Sequence, residues 1–391
     1  MNIICFPFHD YKTALKEGFR TRDTHLYSQF KHSKGVENVV IVNRPTLVLE
    51  LLLGRKSYKT QGILVYKDLF LCITKVEDNV YVIDILDCSF IRPVLEKKAF
   101  ISKLYKKNYQ YILKALKILK IDDYISYESS PLTRETVHLL SPTKKIFDGV
   151  DNFCKHQTYQ SMVLWLKSEY KIIIASYPFV YFNSHDSISY FNCEHQANVE
   201  FLSNGVDFLR FQCAKTLPSA FKEVSGSIGV YAGKMQSMFD VELVKELAVA
   251  FPTTDWFYLG KVLEGNINEL FSGYANVHFL GDIHYDQLPS YIINATICII
   301  PYDIEKQHGG DPIKFYEYFA TGLPIVSTKI GEISSFHDNE SVFIVNRNEF
   351  VESCGKALAI KASEYRKLPE QITWVYKAQY MIDKTRGDKR D

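Results

Sequence analysis

The chain has 391 residues, 47% of them hydrophobic, 14% aromatic and 23% charged, and its 46 Lys and Arg against 45 Asp and Glu leave a net charge of +1. That apolar content excludes a disordered or collagen-like chain, and near-neutrality excludes a broadly basic nucleic-acid binder held by bulk electrostatics. At roughly 100–200 residues per domain the length predicts two or three domains and an enzyme-sized protein.

Eight cysteines, at 5, 72, 88, 154, 193, 213, 298 and 354, stand singly with no C-x-x-C pair, which reads as reduced thiols of a cytoplasmic protein without a metal site. Met1-Asn2-Ile3-Ile4-Cys5-Phe6 has neither a basic lead nor a cleavage motif and reads as a first strand. No apolar run approaches the ~18–20 residues that span a bilayer, so any membrane contact is expected to be peripheral, at the inner face.

Short apolar runs then alternate with helical patterns from end to end, the signature of α/β architecture with parallel sheets. Strands are predicted at Asn2–Phe6 and Asn38–Val42. Between them Arg20, Arg22, Asp23 and His25 open the first predicted helix, as binders of a phosphate or an acceptor or as an ordinary solvated turn. Gly62–Tyr66, Leu69–Thr74 and Val80–Ile85 read as an inserted set of hairpin strands, with Glu77-Asp78-Asn79 as a turn.

Lys97–Lys120 reads as one helix with eight lysines, at 97, 98, 103, 106, 107, 114, 117 and 120, and no acid between Glu96 and Asp122. Six of these fall within a sector of roughly 140°, opposite Phe100, Leu104, Ile112 and Leu116. A face of single sign suits an anionic membrane surface, a protein partner or plain solvent.

Further strands are predicted at Tyr124–Tyr127, Lys145–Phe147, Lys171–Ala175 and Val199–Leu202. Phe147-Asp148-Gly149-Val150-Asp151 presents two carboxylates after a strand, and His185 with Asp186 is placed either to orient a hydroxyl or to serve structure. The second half repeats the rhythm at Ile228–Ala232, Trp256–Leu259, Val277–Leu280, Ile297–Ile300, Ile325–Ser327 and Val342–Val345, with helices such as Asp240–Ala250 and Asp286–Asn294 between. Two α/β halves with a polar junction near Phe211–Ser225 predict two domains facing across a cleft, with ligands at the carboxyl ends of the strands. The boundaries read as 1–210 and 222–365, with 366–391 as a closing helix and charged tail.

The richest stretch is Pro301–Thr328, PYDIEKQHGGDPIKFYEYFATGLPIVST. A loop with His308-Gly309-Gly310 precedes Asp311-Pro312, which reads as an N-cap with proline at the first helical position, and Gly322 ends the helix. Glycines before a helix N-terminus let backbone N–H groups reach an anion, so 309–314 is a candidate phosphate site. Lys314 and Glu317 share one helix face: either a lysine for phosphate and a carboxylate for vicinal sugar hydroxyls, or a plain surface ion pair.

The run Asp311–Thr328 closely resembles the nucleotide-sugar signature of GT-B glycosyltransferases of the bacterial family 4, or group 1, type that builds surface polysaccharides. Gly229-Val230-Tyr231-Ala232-Gly233-Lys234 resembles the first strand and glycine turn of the donor domain, and Asn276–Gly281 with Leu288-Pro289 and Asn204-Gly205-Val206-Asp207 are similar to further family segments. The resemblance covers 204–328 and implies a GT-B fold: two Rossmann-like domains with a cleft between them and a C-terminal helix packing back on the first.

It further implies transfer of a sugar from a nucleotide-diphosphate sugar, most often a UDP-sugar, to an acceptor hydroxyl of a saccharide or lipid-linked glycan, retaining and without metal or other cofactor. Glu317 is then expected to hold the ribose, Lys234 and Lys314 the diphosphate, and Gly233 and the loop His308, Gly309, Gly310 and Asp311 to lie against the donor. Arg20, Arg22, His25 and His185 are acceptor candidates, and Asp148 or Asp151 would be the base only if the reaction inverted. Two positions depart from the pattern: Gly309 replaces the usual second glutamate, and Phe239 stands where a second basic residue follows Lys234. The alternatives are a silent GT-B binding module acting through the lysine helix, or another nucleotide-sugar enzyme such as an epimerase.

Overall fold

The computed structural model describes residues 1–90, 100–213, 216–263, 265–306, 310–336, 339–360 and 369–387. The chain forms two compact units, Met1–Leu202 with Trp374–Asp391, and Ser203–Thr373.

The first unit is built on a ten-stranded sheet. Its strands are β1 Asn2–Phe6, β2 Asn38–Val42, β3 Thr46–Leu47, β4 Ile63–Lys67, β5 Leu71–Glu77, β6 Val80–Asp87, β7 Tyr124–Glu128, β8 Lys144–Gly149, β9 Phe179–Phe182 and β10 Val199–Phe201. The order is β10-β9-β8-β7-β1-β2-β6-β5-β4, with β3 on β6; β10 through β6 run parallel and β6-β5-β4 antiparallel. Central parallel strands are covered on both faces, so they read as unbroken apolar runs: Ile3, Ile4, Cys5 and Phe6 are all fully buried. The hairpin strands are not an appendage. β6 pairs with β2, Val40 opposite Tyr81, and so extends the sheet itself.

Two expectations fail in this unit. Lys171–Ala175 is not a strand: it lies in the helix Val163–Ser176, which buries Leu166, Glu169, Tyr170, Ile173 and Ile174 at helical spacing, and Phe179–Phe182 takes the place in the sheet. Nor is the lysine segment one bare helix. Residues 97 and 98 lie outside the described residues, and the rest forms Phe100–Lys107 and Tyr109–Ile118, broken at Asn108, whose side chain donates to Leu104 O (2.8 Å) and Asp87 Oδ2 (2.9 Å). Lys106, Lys107 and Lys114 pair with Glu135 (3.1 Å), Asp87 (3.0 Å) and Asp68 (2.5 Å). The single sign belongs to the local sequence; the acids that offset it arrive from other elements.

The final helix, Trp374–Arg386, packs on the helix Arg22–Phe30 of the same unit, and Trp374 stacks on His25 at 4.8 Å and 11°. Among the described residues no helix is long and apolar enough to cross a membrane.

The second unit has six parallel strands, β11 Ser227–Ala232, β12 Thr254–Leu259, β13 Val277–Gly281, β14 Ile297–Ile300, β15 Ile325–Thr328 and β16 Val342–Val345, in the order β13-β12-β11-β14-β15-β16. That is the Rossmann 3-2-1-4-5-6 order, whose direction reverses between β11 and β14. Helix caps follow local chemistry: Asp240 accepts the Leu243 N–H (2.9 Å) to open Val241–Ala250, and Gly322, at φ 80°, closes Ile313–Thr321.

Candidate functional site

The switch point of the second sheet lies at the loops after β11, β12 and β14, where Gly233, Lys234, Gly310, Asp311, Lys314 and Glu317 of the predicted donor residues are described. Lys314, in the first turn of Ile313–Thr321, donates to Tyr302 Oη (2.8 Å) and lies 4.2 Å from the Tyr231 ring centroid and 5.0 Å from that of Tyr302. Burial holds the Tyr231 phenol far above its ordinary pKa. The ammonium is thus positioned by rings and a hydroxyl.

Gly233 makes room for it: a Cβ there would lie 2.0 Å from Lys314 Nζ. Gly260, after β12, meets Gly233 backbone to backbone, since its own Cβ would fall 2.1 Å from the Gly233 carbonyl oxygen. The Tyr231 hydroxyl donates to Lys234 O (2.9 Å) and fixes the turn, while the Lys234 side chain is exposed.

Glu317 is only 3% exposed and accepts a hydrogen bond from Tyr285 Oη (2.6 Å). Burial raises its pKa to about 7, against the opposing pull of the Tyr285 hydrogen bond and the Lys314 charge. Tyr285 in turn lies beneath the Arg210 guanidinium (4.7 Å), and Arg210 pairs with Asp286 (2.8 Å).

Asp311 does not cap the helix. The cap position is Pro312, and the Asp311 carboxylate instead accepts from the Asn204 backbone N–H and from Tyr316 Oη (2.6 Å). Gly310 is left-handed at φ 130° with open space where a Cβ would point; His308 and Gly309 lie outside the described residues. Phe239, where the pattern has a base, is buried edge-on to Tyr258 at 5.6 Å.

In the first unit most of the candidates are engaged internally. Arg22 and Asp148 are fully buried and face each other, with Nε 2.9 Å from Oδ2 and a terminal guanidinium nitrogen 2.8 Å from Oδ1, and Tyr127 Oη adds 2.8 Å to Oδ2. That removes Asp148 from the role of base and Arg22 from the role of acceptor ligand, since neither side chain reaches solvent. Arg20 bonds Glu17 (3.0 Å), His25 lies under Trp374, and His185 stacks on Phe201 at 4.2 Å. Asp151 is exposed in the loop after β8.

Sequence reasoning missed Tyr231, Tyr302, Tyr285, Arg210 and Gly260 as site residues. Gly260 had a signal, a glycine directly after a strand; the tyrosines had none, because their neighbours come from distant segments. Among the described residues no group of three His, Cys, Asp or Glu side chains converges as a metal ion would require.

Residues 241–359 match the family model "Glycosyl transferases group 1". No curated protein matches the chain. Among solved structures the chain is similar to sucrose-phosphate synthase from Thermosynechococcus elongatus, at 12% identity and TM-score 0.69 over 99% of this chain and 98% of that one. It is similar also to HepE from Anabaena in complex with UDP and glucose (13%, TM-score 0.60, 100% of both chains). A third is the UDP-forming trehalose-phosphate synthase from Burkholderia xenovorans in complex with glucose-6-phosphate (10%, TM-score 0.59, 99% of both). Residues 241–359 thus match a group 1 glycosyltransferase domain, and the likeness to these structures shows that the chain has their GT-B fold of two Rossmann-like units.

Proposed function

We propose that the protein moves a sugar from a UDP-sugar to an acceptor hydroxyl, with retention at the anomeric carbon and without a metal ion. The observation that carries this reading is Lys314, held against the Tyr302 and Tyr231 phenols over the Gly233 turn, one helical turn from the buried Glu317. In this reading Lys314, with Lys234 and the N–H groups opening Ile313–Thr321, stabilises the departing diphosphate, the part a metal plays elsewhere. Glu317 Oε2 accepts the ribose hydroxyls while Tyr285 holds Oε1.

Retention needs no protein base when the leaving oxygen takes the acceptor proton, which agrees with Asp148 being committed to Arg22. The bound UDP and glucose of HepE support the nucleotide, and the glucose-6-phosphate complex supports a saccharide as acceptor class. The product is assigned to cell-surface polysaccharide, free or lipid-linked, made on the cytoplasmic side of the membrane.

The test is calorimetric binding of UDP and a screen of nucleotide sugars for turnover. UDP is expected to bind, and Glu317→Ala and Lys314→Ala to weaken it at least tenfold while still unfolding cooperatively. Wild-type protein that binds no nucleoside diphosphate overturns the reading. Turnover without a second saccharide, and without hydrolysis, would assign an epimerase instead.

A further inference from the structure

We propose that Tyr302 is a positioning residue for phosphate recognition: its hydroxyl holds the Lys314 ammonium in place before a nucleotide arrives, and so sets how strongly the site prefers a nucleoside diphosphate to the bare nucleoside. This deepens the donor reading above and rests on it. A lysine has a flexible four-carbon stem, and ordering that stem when a ligand binds costs affinity. Lys314 stands partly exposed in the first turn of Ile313–Thr321, within reach of a ligand, where an unheld stem would sample many rotamers.

Tyr302 Oη accepts from Lys314 Nζ at 2.8 Å, while the Tyr231 ring centroid lies 4.2 Å from the same ammonium. The two contacts differ in kind. A hydrogen bond has a direction and pins Nζ at one point, whereas the attraction of a cation to a ring is spread over the ring face and leaves the ammonium room to slide. The point at which Tyr302 holds it is directly against the turn after β11, since a Cβ on Gly233 would lie 2.0 Å from Nζ.

Tyr302 can do this because its own place is fixed. Its backbone N–H donates to Thr328 Oγ1 (3.2 Å), at the end of β15, and the residue forms an antiparallel bridge with Phe239. Flanking that bridge, the Asp240 N–H donates to Pro301 O (3.0 Å) and the Asp303 N–H to Met238 O (2.8 Å), so the loop after β14 is tied to the segment that leads from β11 into Val241–Ala250. The Tyr302 ring is buried edge-on to Tyr231, with centroids 6.3 Å apart. Phe239 is the position at which the sequence pattern has a second basic residue; here its backbone seats Tyr302 instead. With no base at 239, more of a diphosphate's charge falls to Lys314, and the placement of that one ammonium matters more.

Tyr302→Phe keeps the ring and removes only the hydroxyl, so the test is a double-mutant cycle on the full chain: wild type, Tyr302→Phe, Lys314→Met and the double variant, titrated with UDP by calorimetry and with uridine by saturation-transfer NMR. Tyr302→Phe is expected to weaken UDP about tenfold and to leave uridine within about twofold of wild type, with the unfolding midpoint near wild type. In the Lys314→Met background the same change should leave UDP affinity unaltered. The proposal is overturned if Tyr302→Phe binds UDP as wild type does, if it weakens uridine as much as UDP, or if it weakens UDP equally when Lys314 is already replaced. Wild-type protein that binds no UDP overturns the donor reading and this inference with it, whereas wild-type binding with the same UDP-to-uridine ratio in Tyr302→Phe removes the inference alone.

Discussion

Asn204 and Asp311, 107 residues apart, hold each other by two hydrogen bonds: the Asn204 backbone N–H donates to the Asp311 carboxylate, and the Asn204 side-chain amide donates to the Asp311 carbonyl. The turn at the start of the second unit is thereby tied to the loop that enters the Lys314 helix. Asp311→Ala removes the carboxylate that accepts from the Asn204 N–H and from the Tyr316 phenol and should cost about 2–3 kcal/mol in urea unfolding. Asn204→Ala keeps the backbone bond and should cost about 1 kcal/mol. UDP affinity should fall in the same order, and equal stability of the two variants would show that the latch is not what orders this loop.

Gly260 should be intolerant of a side chain. Because the atom a Cβ would strike is the Gly233 carbonyl oxygen, relief requires moving the backbone under Lys314. Gly260→Ala is expected to lower UDP affinity at least tenfold. Gly265→Ala, a neighbouring glycine with open space around it, is expected to leave UDP affinity unchanged. Calorimetry on the pair separates a local clash from a general effect of replacing glycine.

Two buried carboxyls give the unliganded protein a defined pH response. Burial raises Glu317 and Glu128 from 4.5 to about 7; Glu128 accepts from Tyr177 (2.7 Å) and Thr133 (2.9 Å). Between those values the folded state binds more protons than the unfolded one, so stability falls as pH rises through the window. Each group contributes on the order of 3 kcal/mol to that decline. Denaturant unfolding at pH 5.5 and pH 8 should show higher stability at pH 5.5, and Glu317→Gln and Glu128→Gln should each flatten the slope.

The buried pair of Arg22 and Asp148 predicts a stability effect, not a catalytic one. Removing one partner leaves an uncompensated buried charge, so Asp148→Ala or Arg22→Ala should cost about 3–5 kcal/mol. Turnover per folded molecule, with the folded fraction measured by near-ultraviolet circular dichroism, should remain near wild type. A loss of kcat by a factor of a thousand in fully folded Asp148→Asn would restore Asp148 as the base.

Strand positions were largely legible because buried parallel strands are short apolar runs bounded by turns, as in Asn2–Phe6 and Ile297–Ile300. Lys171–Ala175 shows the limit: four apolar residues after a lysine fit either period, and the helix emerges only when Leu166, Glu169 and Tyr170 are counted with Ile173 and Ile174. Lys314 and Glu317 were legible because one turn of helix is a local geometry. Tyr302 and Tyr285, which position them, were not, since 12 and 32 residues separate the partners of those hydrogen bonds.

Taken by itself, the sequence determined the α/β class, the helix that Gly322 closes and the pairing of lysine and glutamate on one face of it, because these depend on periodicity and on a glycine cap within a few residues; the start of that helix was read one residue early, at Pro312. The tertiary structure alone decided what each charge does. Composition near neutrality did not reveal that Arg22 neutralises Asp148 in the core, that Lys106, Lys107 and Lys114 meet acids from three other segments, or that Lys314 lies against the phenols of Tyr302 and Tyr231. A charge acts through its nearest neighbours and its exposure to water, and in this chain those neighbours are brought together by the fold.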